Sequence, residues 1–513
     1  MTNQDEPHRR IPPPRERKNA RKRKSEKAVP AGCAGSAPLS RAGGGGSIGR
    51  FFPLVRFLAF RLCLCGLVGC AASGKPAGPP PFPPEPTYPP GHTFTLDELI
   101  ELSIHRNASL DAARYEALAA RGIVDQVKSL WLPLVHYGFA AVVYDNDFSY
   151  RARALKLVTI NVPITGNYNL EHSLNFSQIV TSGGKRTSAL KQARIYEAIQ
   201  KLQVLVRQDA VAFDVANNYY LVCLTNDIDR VLEDTLRRIH VFRRASGDLN
   251  ERGSLRGSRL DTLESEYLVL QLEQLRIAAQ AGRQQAYEAL KHSVGLSRDE
   301  PLILRDVTLP PPITLREAVS VSATIVKGFL RRPETRQADL LAHLGREQVR
   351  FAKTAFAPNV GVGGSYIASQ GNQYNVLGQI DGFLASLIVD VPLYYPGGRA
   401  ALLQALGLEQ ASLALQREVE QLITLEINVT AIDAQKALAT VFQTGRACEI
   451  ARQHEQAARR AYSHDLIPAP GVVGGILLDG LARVQHLQAL YVYHSTRAKL
   501  NRVTANREVH YGS

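Results

Sequence analysis

The chain has 513 residues, 45% hydrophobic and 21% charged, which is enough apolar material for two or three ordinary domains. The net charge of +14 suggests a nucleic-acid partner, but residues 1–50 hold twelve Lys or Arg and four Asp or Glu and so carry most of the excess. The run Arg15–Lys27 is therefore predicted to be a local tail, and residues 1–50 a basic disordered extension. The six cysteines lack the spacing of a disulfide framework or a metal site, which excludes a disulfide-rich scaffold.

Residues 51–70 are predicted to be a lipoprotein signal peptide. Its apolar stretch, Leu62–Gly69, is shorter than the about 18 residues that a transmembrane helix needs. The stretch ends in Leu-Val-Gly-Cys, which resembles the bacterial lipobox. That resemblance implies a covalent lipid on Cys70 and, because Ala71 and not Asp follows, sorting to the outer membrane. Met1 is the only methionine, so either the extension is genuine or translation begins at a non-Met codon near Leu54 or Val55.

Residues 71–92 are predicted to be a Pro-rich linker. Half of the residues in Gly74–Gly91 are proline, which excludes a helix and favours an extended chain. We interpret this segment as a stiff spacer between the lipid and the folded body.

The body is predicted to consist of two tandem repeats, residues 93–300 and 301–509, followed by a C-terminal tail at 510–513. Phe94–Leu99 and Ile313–Ala318 open the two copies with a similar pattern. Each copy then has a strand pair that closes on two glycines and a base, and we predict strand-to-helix turns there: Gly183, Gly184, Lys185, Gly397, Gly398 and Arg399. Both copies carry the feature without full phosphate-loop spacing, which favours a turn over a nucleotide site.

Four segments have the pattern of β-strands: Val135–Tyr144, Leu170–Val180, Val360–Ile367 and Gly382–Leu393. In the first, apolar or aromatic residues fall on alternate positions, as in a strand with one apolar face. A membrane barrel needs that alternation. Four strands cannot close a barrel and lipid does not tolerate open edges, so we predict that several copies share one sheet.

The remaining sequence predicts very long helices. Lys185–Ser246 contains no Gly or Pro and has apolar residues every three or four positions, which predicts about 90 Å of helix. Ser258–Val294 is the predicted return helix. In the second copy a run after Gly398 breaks near Pro468 and returns over Leu481–Tyr511. Helices of this length need antiparallel coiled-coil partners, so the fold class is an α+β membrane protein.

The order of these features over Thr93–Val509 resembles the TolC-like outer membrane factor family, in its lipoprotein subtype. The resemblance implies a homotrimer in which each protomer gives four strands to a twelve-stranded β-barrel, continued by a helical tunnel. It implies a passive exit duct of a tripartite efflux or type I secretion system, lipid-anchored in the cell outer membrane and extending into the periplasm. The implied partners are a periplasmic adaptor (membrane fusion) protein, an inner-membrane pump and outer-membrane lipid.

The same resemblance implies a periplasmic gate at the tips of the helical hairpins. By position, Asp261 resembles the family's tip aspartate and Tyr462 the tyrosine that it contacts on the neighbouring hairpin. Asp479 resembles one of the acidic residues that ring the aperture, where three carboxylates would favour cations. Ile476 stands where a second acid is expected, and the second tip, Tyr462–Asp479, is predicted to be apolar and irregular.

Two other functions remain open. A periplasmic coiled-coil structural or adaptor protein would explain the helices but not the four amphipathic strands. A basic-tailed nucleic-acid-binding protein would explain Arg15–Lys27, but the signal segment and spacer argue against it. No nucleophile–base or paired-carboxylate constellation is present, so no enzyme is predicted. His454, His464 and His486 lack ligand spacing, so no metal and no cofactor besides the Cys70 lipid is expected.

Overall fold

The computed structural model describes residues 86–89, 91–143, 149–154, 158–163, 168–251, 259–312, 328–371, 382–464 and 466–505. Side chains are described for these residues apart from 149–154, 158–163, 168–169, 245–251, 259–261 and 370–371. The predictions for the basic extension, the signal peptide, Cys70, most of the linker, the opening of the second repeat and the tail at 510–513 concern residues outside this set.

The described body begins with a short parallel strand pair, β1 (Thr93–Phe94) and β6 (Ile303–Leu304), and with helix α1 (Leu96–Arg106). A capping box starts α1: the Thr95 side chain accepts from the Glu98 amide, and the Glu98 carboxylate accepts from the Thr95 amide at 2.8 Å. Helix α2 (Ala108–Ser129) follows after Asn107, whose side-chain oxygen accepts from the Ser109 amide.

A four-stranded antiparallel sheet lies between the helical segments. Its strands are β2 (Leu134–Val143), β5 (Tyr168–Thr181), β7 (Asn359–Gly371) and β8 (Gly382–Asp390), in the order β2-β5-β7-β8. The predicted strand segments are confirmed to within a few residues. The sequence did not predict strands β3 (Ser149–Ala154) and β4 (Val158–Pro163), which pair with each other between β2 and β5.

The first helical hairpin consists of α3 (Lys185–Glu251) and α4 (Arg259–Val294). At 1.5 Å per residue, the 67 residues of α3 span about 100 Å. Both helices pack on α1 in one cluster of buried apolar residues, which includes Leu99, Val215, Val222 and Leu290. The predicted pair of long antiparallel helices is confirmed.

The second half of the chain contains α5 (Pro333–Lys353), a short 3-10 turn (Thr354–Phe356), α6 (Pro396–Ser463) and α7 (Ala469–Val503). Helix α7 begins twelve residues before the predicted Leu481, so the prediction of an irregular tip over Tyr462–Asp479 was wrong. Proline is tolerated in the first turn of a helix, where Pro470 lies. The fully buried side chains of Val472, Val473 and Ile476 then hold the segment in the core as helix.

The two hairpins pack through α3 and α7. Helix α3 contacts α2, α4, α5 and α7, while α4 lies on α3 and α7, and α6 lies on α5 and α7. Each of α4 and α6 therefore has one side without a helical neighbour among the described elements. None of the described helices combines the length and the apolar character needed to cross a membrane.

Candidate functional site

The register of the four-stranded sheet places apolar side chains on one face. Val135 of β2 pairs with Phe176 of β5, Phe176 with Gly364 of β7, and Gly364 with Ala385 of β8, so residues at these levels share a face. Of the nineteen residues on this face with described side chains, only His172 and Gln178 are not apolar or aromatic. They are Val135, Tyr137, Phe139, Ala141, Val143, Leu170, His172, Leu174, Phe176, Gln178, Val360, Val362, Gly364, Tyr366, Ala368, Phe383, Ala385, Leu387 and Val389. We call this set the apolar sheet face.

The opposite face is small or polar in its middle strands. Glycine, serine, asparagine and glutamate dominate there, as in Glu171, Ser173, Asn175, Gly361, Gly363 and Ser365. The Ser365 hydroxyl donates to the Asn175 side chain at 2.7 Å across these strands. The edge strands carry apolar side chains on this face too, as in Val142 and Leu384. The difference between the two faces is therefore clearest in β5 and β7, where it has the pattern of a sheet between an apolar and an aqueous medium.

Much of the apolar sheet face is exposed in the single chain. Phe139 is 55% exposed, Phe383 66% and Leu387 68%, values unusual for large apolar side chains arranged in one patch. Strands β2 and β8 each pair with one strand among the described residues, so each has an open edge. Among the residues that the structure describes, none covers the exposed part of the apolar sheet face and none pairs with the outer edges of β2 and β8.

The first predicted strand-to-helix turn is built from two glycines. Strand β5 ends at Thr181, α3 begins at Lys185, and Gly183 and Gly184 between them have φ of 56° and 90°. Residues other than glycine rarely adopt these φ values. A Cβ on Gly183 would also lie 2.1 Å from the Ala357 Cβ, so the turn packs directly against the residue that follows the 3-10 turn Thr354–Phe356.

The second predicted turn lies elsewhere. Strand β8 ends at Asp390 and α6 begins at Pro396, so Gly397, Gly398 and Arg399 belong to the first turn of the helix, not to the connection. Neither glycine has a positive φ. The reason is Pro396, whose fixed φ suits the first helical position and starts the helix before the glycines.

A cluster of six charged side chains joins the two hairpins near their tips. Arg238 of α3 donates to Glu455 of α6 at 2.8 Å and to Asp479 of α7 at 2.7 Å. Arg483 lies 2.9 Å from the same Asp479 oxygen, and Arg459 donates to Glu455 at 2.7 Å. Asp234 completes the set, 3.2 Å from Arg238. We call these residues the Arg238 cluster.

The two carboxylates at the centre of the cluster are buried. Asp479 is 1% exposed and Glu455 5%, whereas the Arg238 side chain keeps 22% of its surface. Burial disfavours the charged form of Arg238, but hydrogen bonding to Asp479 and the charges of Glu455 and Asp234 outweigh it, so the pKa of the guanidinium is raised. Arg238 therefore stays charged and binds carboxylates on α3, α6 and α7.

The predicted gate residues lie in three different helices, α4, α6 and α7. Tyr462, in the last turn of α6, packs its ring edge-on against Phe242 of α3 at 5.2 Å between centroids. Asp261 lies in the first turn of α4, and its side chain is outside the described set. Asp479 points into the packing between α3, α6 and α7. Arg238 and Arg483 enclose it there, and its place at an aperture stays a prediction.

Sequence reasoning missed Arg238, Asp234, Glu455, Arg459 and Arg483. Three pairs among the cluster have the i,i+4 spacing of helix neighbours: Asp234 and Arg238, Glu455 and Arg459, Asp479 and Arg483. That spacing was visible in the sequence. The meeting of the three pairs depends on how α3, α6 and α7 are aligned, which no local pattern shows.

Solved structures of outer-membrane channels have a fold similar to that of this chain. The outer-membrane channel OprN matches with a TM-score of 0.68 and 17% identity, over 82% of this chain and 91% of that one. The outer membrane protein VceC of Vibrio cholerae matches at 0.65 and 17%, over 80% and 95%. CusC, described for its transmembrane channel formation, matches at 0.65 and 16%, over 83% and 98%.

No protein-family model matches the sequence, and no curated protein matches it. At these identities the agreement is one of fold, and it extends over most of both chains.

Proposed function

We propose that this chain, which has the fold of the TolC-like outer-membrane channels, is the exit duct of a tripartite efflux or type I secretion system. The observation that carries the proposal is the apolar sheet face with its two open edges. Strands β2 and β8 have ten and nine residues, the length that crosses a bilayer when tilted. Substrates would pass passively along the polar side of the sheet, with energy supplied elsewhere.

Closure of the sheet requires more than one copy. Open sheet edges are costly in both water and lipid, and an uncovered apolar face is costly in water. Pairing β8 of one copy with β2 of the next removes both edges. A trimer would form a twelve-stranded barrel from four strands per protomer. The long hairpins would continue the barrel as a tunnel towards a periplasmic adaptor and an inner-membrane pump.

The sequence supports a lipid anchor and a location at the outer membrane. A lipid on Cys70 and the Pro-rich spacer would tether the body to the outer membrane, with the helices extending into the periplasm. The covalent lipid adds hydrophobic attachment of about 0.8 kcal/mol per buried methylene. The barrel itself would remain the main membrane contact.

We place the gate that closes the proposed channel near the ends of the two hairpins. The Arg238 cluster links α3 of the first hairpin to α6 and α7 of the second. Moving one hairpin away from the other would separate Arg238 from Asp479 and Glu455. We propose that this cluster contributes to the gate, together with Tyr462 and Asp261.

A periplasmic coiled-coil structural or adaptor protein is the alternative. It would use the same hairpins, but it offers no use for the apolar sheet face, which would be exposed to water. The sheet therefore favours the channel.

The test combines fractionation with electrophysiology. The full chain and a Cys70→Ser variant are expressed in a Gram-negative host, and the purified protein is added to planar bilayers. We expect outer-membrane recovery as a detergent-resistant trimer and discrete conductance steps, with Cys70→Ser losing the lipid but still able to insert. A water-soluble monomer without conductance would refute the channel.

A further inference from the structure

We propose that the inner wall of the barrel binds the apolar part of small amphipathic cations along a stripe where two copies meet. The stripe consists of Leu134, Ala140 and Val142 of β2 and of Leu384 and Ile388 of β8, and we call it the apolar edge stripe. The proposal rests on the channel function, because it assigns the face opposite to the apolar sheet face to the pore. It adds a binding surface and a ligand class to that function.

The strand register places the apolar edge stripe on the face that the channel would leave to water. His136 of β2 pairs with Asn175 of β5, and Asn175 pairs with Ser365 of β7. Ser365 then pairs with Leu384 of β8. Residues an even number of positions from these along each strand share their face. All five residues of the stripe meet that condition, so none of them belongs to the apolar sheet face.

The large side chains of the stripe are open to solvent in the single chain. Leu134, Leu384 and Ile388 are between 58% and 64% exposed, and Val142 is 39% exposed. Pairing β8 with β2 of a second copy adds a strand beside these residues and not above them, so it leaves the stripe uncovered. The interior of a membrane barrel is ordinarily polar, which makes large apolar side chains in this wall unexpected. Contact with lipid does not account for them, because the proposed lipid contact is on the other face.

The middle strands differ from the edge strands on this face. Apart from Ile179 and Ile367, the residues of β5 and β7 with described side chains are polar or glycine here: Glu171, Ser173, Asn175, Ser177, Asn359, Gly361, Gly363, Ser365 and Ser369. The wall of a trimer would therefore alternate three apolar stripes with three polar ones. Each apolar stripe would be two strands wide, about 10 Å, which suits an alkyl chain or an aromatic ring.

The charges near the stripe favour a cation. Asp390 ends β8 on the same face, two residues and therefore about 7 Å beyond Ile388. Glu171 of β5 pairs with Ala140 of β2 on this face. Lys185, at the start of α3, lines a cavity together with Asp390, but no salt bridge joins the two in the part of the chain that the structure describes. The described residues of the four strands include no Lys or Arg on this face, so two carboxylates per copy outnumber this one ammonium.

A quaternary ammonium with a short alkyl chain matches this arrangement. With the ammonium beside Asp390, a six-carbon chain that lies along β8 passes Ile388 and ends close to Ser386. Burying a methylene completely would strengthen binding about fourfold, and an open wall covers about half of its surface, so we expect about twofold for each methylene. The wall would thus prefer amphipathic cations to inorganic ions and to anionic amphiphiles.

Protection of an introduced cysteine tests the stripe in the full-length protein in proteoliposomes. Ser386→Cys places a thiol on the pore face between Leu384 and Ile388. Its rate of modification by 2-hydroxyethyl methanethiosulfonate, an uncharged reagent, is measured at increasing hexyltrimethylammonium, and the wild-type protein corrects for the native cysteines. We expect half-maximal protection at about fourfold lower concentration than for butyltrimethylammonium, which has two methylenes fewer. Tetramethylammonium should not protect at these concentrations.

Two variants are the matched controls. Asn175→Cys has polar cross-strand neighbours on both sides, so hexyltrimethylammonium should leave its modification rate unchanged. Leu384→Ser with Ile388→Ser, added to Ser386→Cys, should raise the half-maximal concentration about tenfold, because most of the apolar contact is lost. Equal protection in all three proteins would overturn the stripe, because binding would then not depend on its side chains.

The charge of the ligand is tested separately. Asp390→Asn with Glu171→Gln, added to Ser386→Cys, should raise the half-maximal concentration of hexyltrimethylammonium about fivefold. Hexanesulfonate, which has the same chain and a negative head group, should protect Ser386→Cys more weakly than hexyltrimethylammonium. Equal protection by the two compounds would overturn the assignment of a cation.

Conductance in planar bilayers separates this inference from the channel. Conducting trimers whose Ser386→Cys thiol is modified equally fast with and without hexyltrimethylammonium would overturn the stripe and leave the channel intact. A thiol that does not react even without ligand would also overturn it, because another part of the protein would then cover this face. Absence of both trimers and conductance would refute the channel, and with it the pore to which the stripe is assigned.

Discussion

Arg238 satisfies carboxylates from three helices, and two of those carboxylates are almost fully buried. A buried ion cluster costs more desolvation than an apolar contact of the same size, so it is a poor means of adding stability alone. It does make the contact conditional, because removing any one partner leaves an uncompensated charge. At this position it adds a contact that requires specific charges to the apolar packing between the two hairpins.

We expect Asp479→Asn to destabilise the protein by about 3 kcal/mol, because Arg238 and Arg483 lose a buried partner while keeping part of their exposure to water. The midpoint of chemical unfolding measures this. Asp125→Asn is the control: it breaks an exposed pair with Lys128 and should leave the unfolding midpoint almost unchanged, because water screens that pair. Equal effects in both variants would contradict the role of the cluster.

His494 predicts a dependence of stability on pH. It is 2% exposed, stacked on Tyr220, and one ring nitrogen contacts the Pro310 carbonyl at 2.9 Å. Burial lowers its pKa below 6.5 despite that hydrogen bond. The unfolded chain therefore binds a proton at His494 more readily than the folded chain does. The stability contributed by neutral His494 is present above pH 6.5 and is lost as the pH falls towards the pKa of the folded state.

Unfolding midpoints measured from pH 7.5 to pH 5.5 should fall more steeply for the wild-type protein than for His494→Gln, which keeps a donor near Pro310 but does not titrate. His454→Gln, at an exposed position of α6, serves as the control and should follow the wild type. Parallel curves for all three proteins would exclude His494 as the source. His486, whose pKa burial also lowers, remains present in each.

At the scale of single elements, the turn into α3 and the interior of α6 place opposite demands on glycine. Gly183 has a positive φ and no room for a Cβ, whereas Gly407 lies in α6 with no atom within 4 Å of an added Cβ. Glycine is needed at the first position and costs stability at the second.

Gly183→Ala should therefore destabilise the protein by about 2 kcal/mol or more, and Gly407→Ala should stabilise it by about 0.5–1 kcal/mol. Thermal unfolding followed by circular dichroism at 222 nm distinguishes the two. If both substitutions changed the stability in the same direction, the backbone conformation assigned to Gly183 or to Gly407 would be wrong.

The strands and long helices could be predicted because their patterns are local. Apolar residues on alternate positions from Val135 to Val143 predict a strand, and the glycine-free run after Lys185 predicts a helix. Each pattern depends only on residues that are near each other in the sequence. The early start of α7 could not be predicted, because it depends on Val472 and Ile476 finding a core made by α3 and α4. The burial of Asp479 has the same origin: Arg238 lies 241 residues away in the chain.

At the scale of the molecule, the two faces of the sheet predict two different responses to one new charge. Leu387 and Ser386 are neighbours in β8, but Leu387 belongs to the apolar sheet face and Ser386 to the opposite one. If the apolar sheet face contacts lipid, an arginine there costs about 2–4 kcal/mol near the bilayer centre.

Leu387→Arg should reduce recovery of inserted trimers from membranes, whereas Ser386→Arg should insert normally and alter the ion selectivity of the conductance. Quantitative extraction of the outer membrane and reversal potentials in bilayers measure the two effects. Normal insertion of both variants would mean that Leu387 does not face lipid.

The strand pairing also sets an order of events during synthesis. The side-chain bond from Ser365 to Asn175 joins residues 190 positions apart, whereas each hairpin pairs neighbours across one short connection. Near contacts form quickly and distant ones slowly. The first hairpin can therefore form while the sheet is still incomplete, and the full apolar sheet face is present only after β7 and β8 have been synthesised. Late completion of the sheet shortens the time during which a newly made chain exposes the whole face to water before a second copy can pair with it.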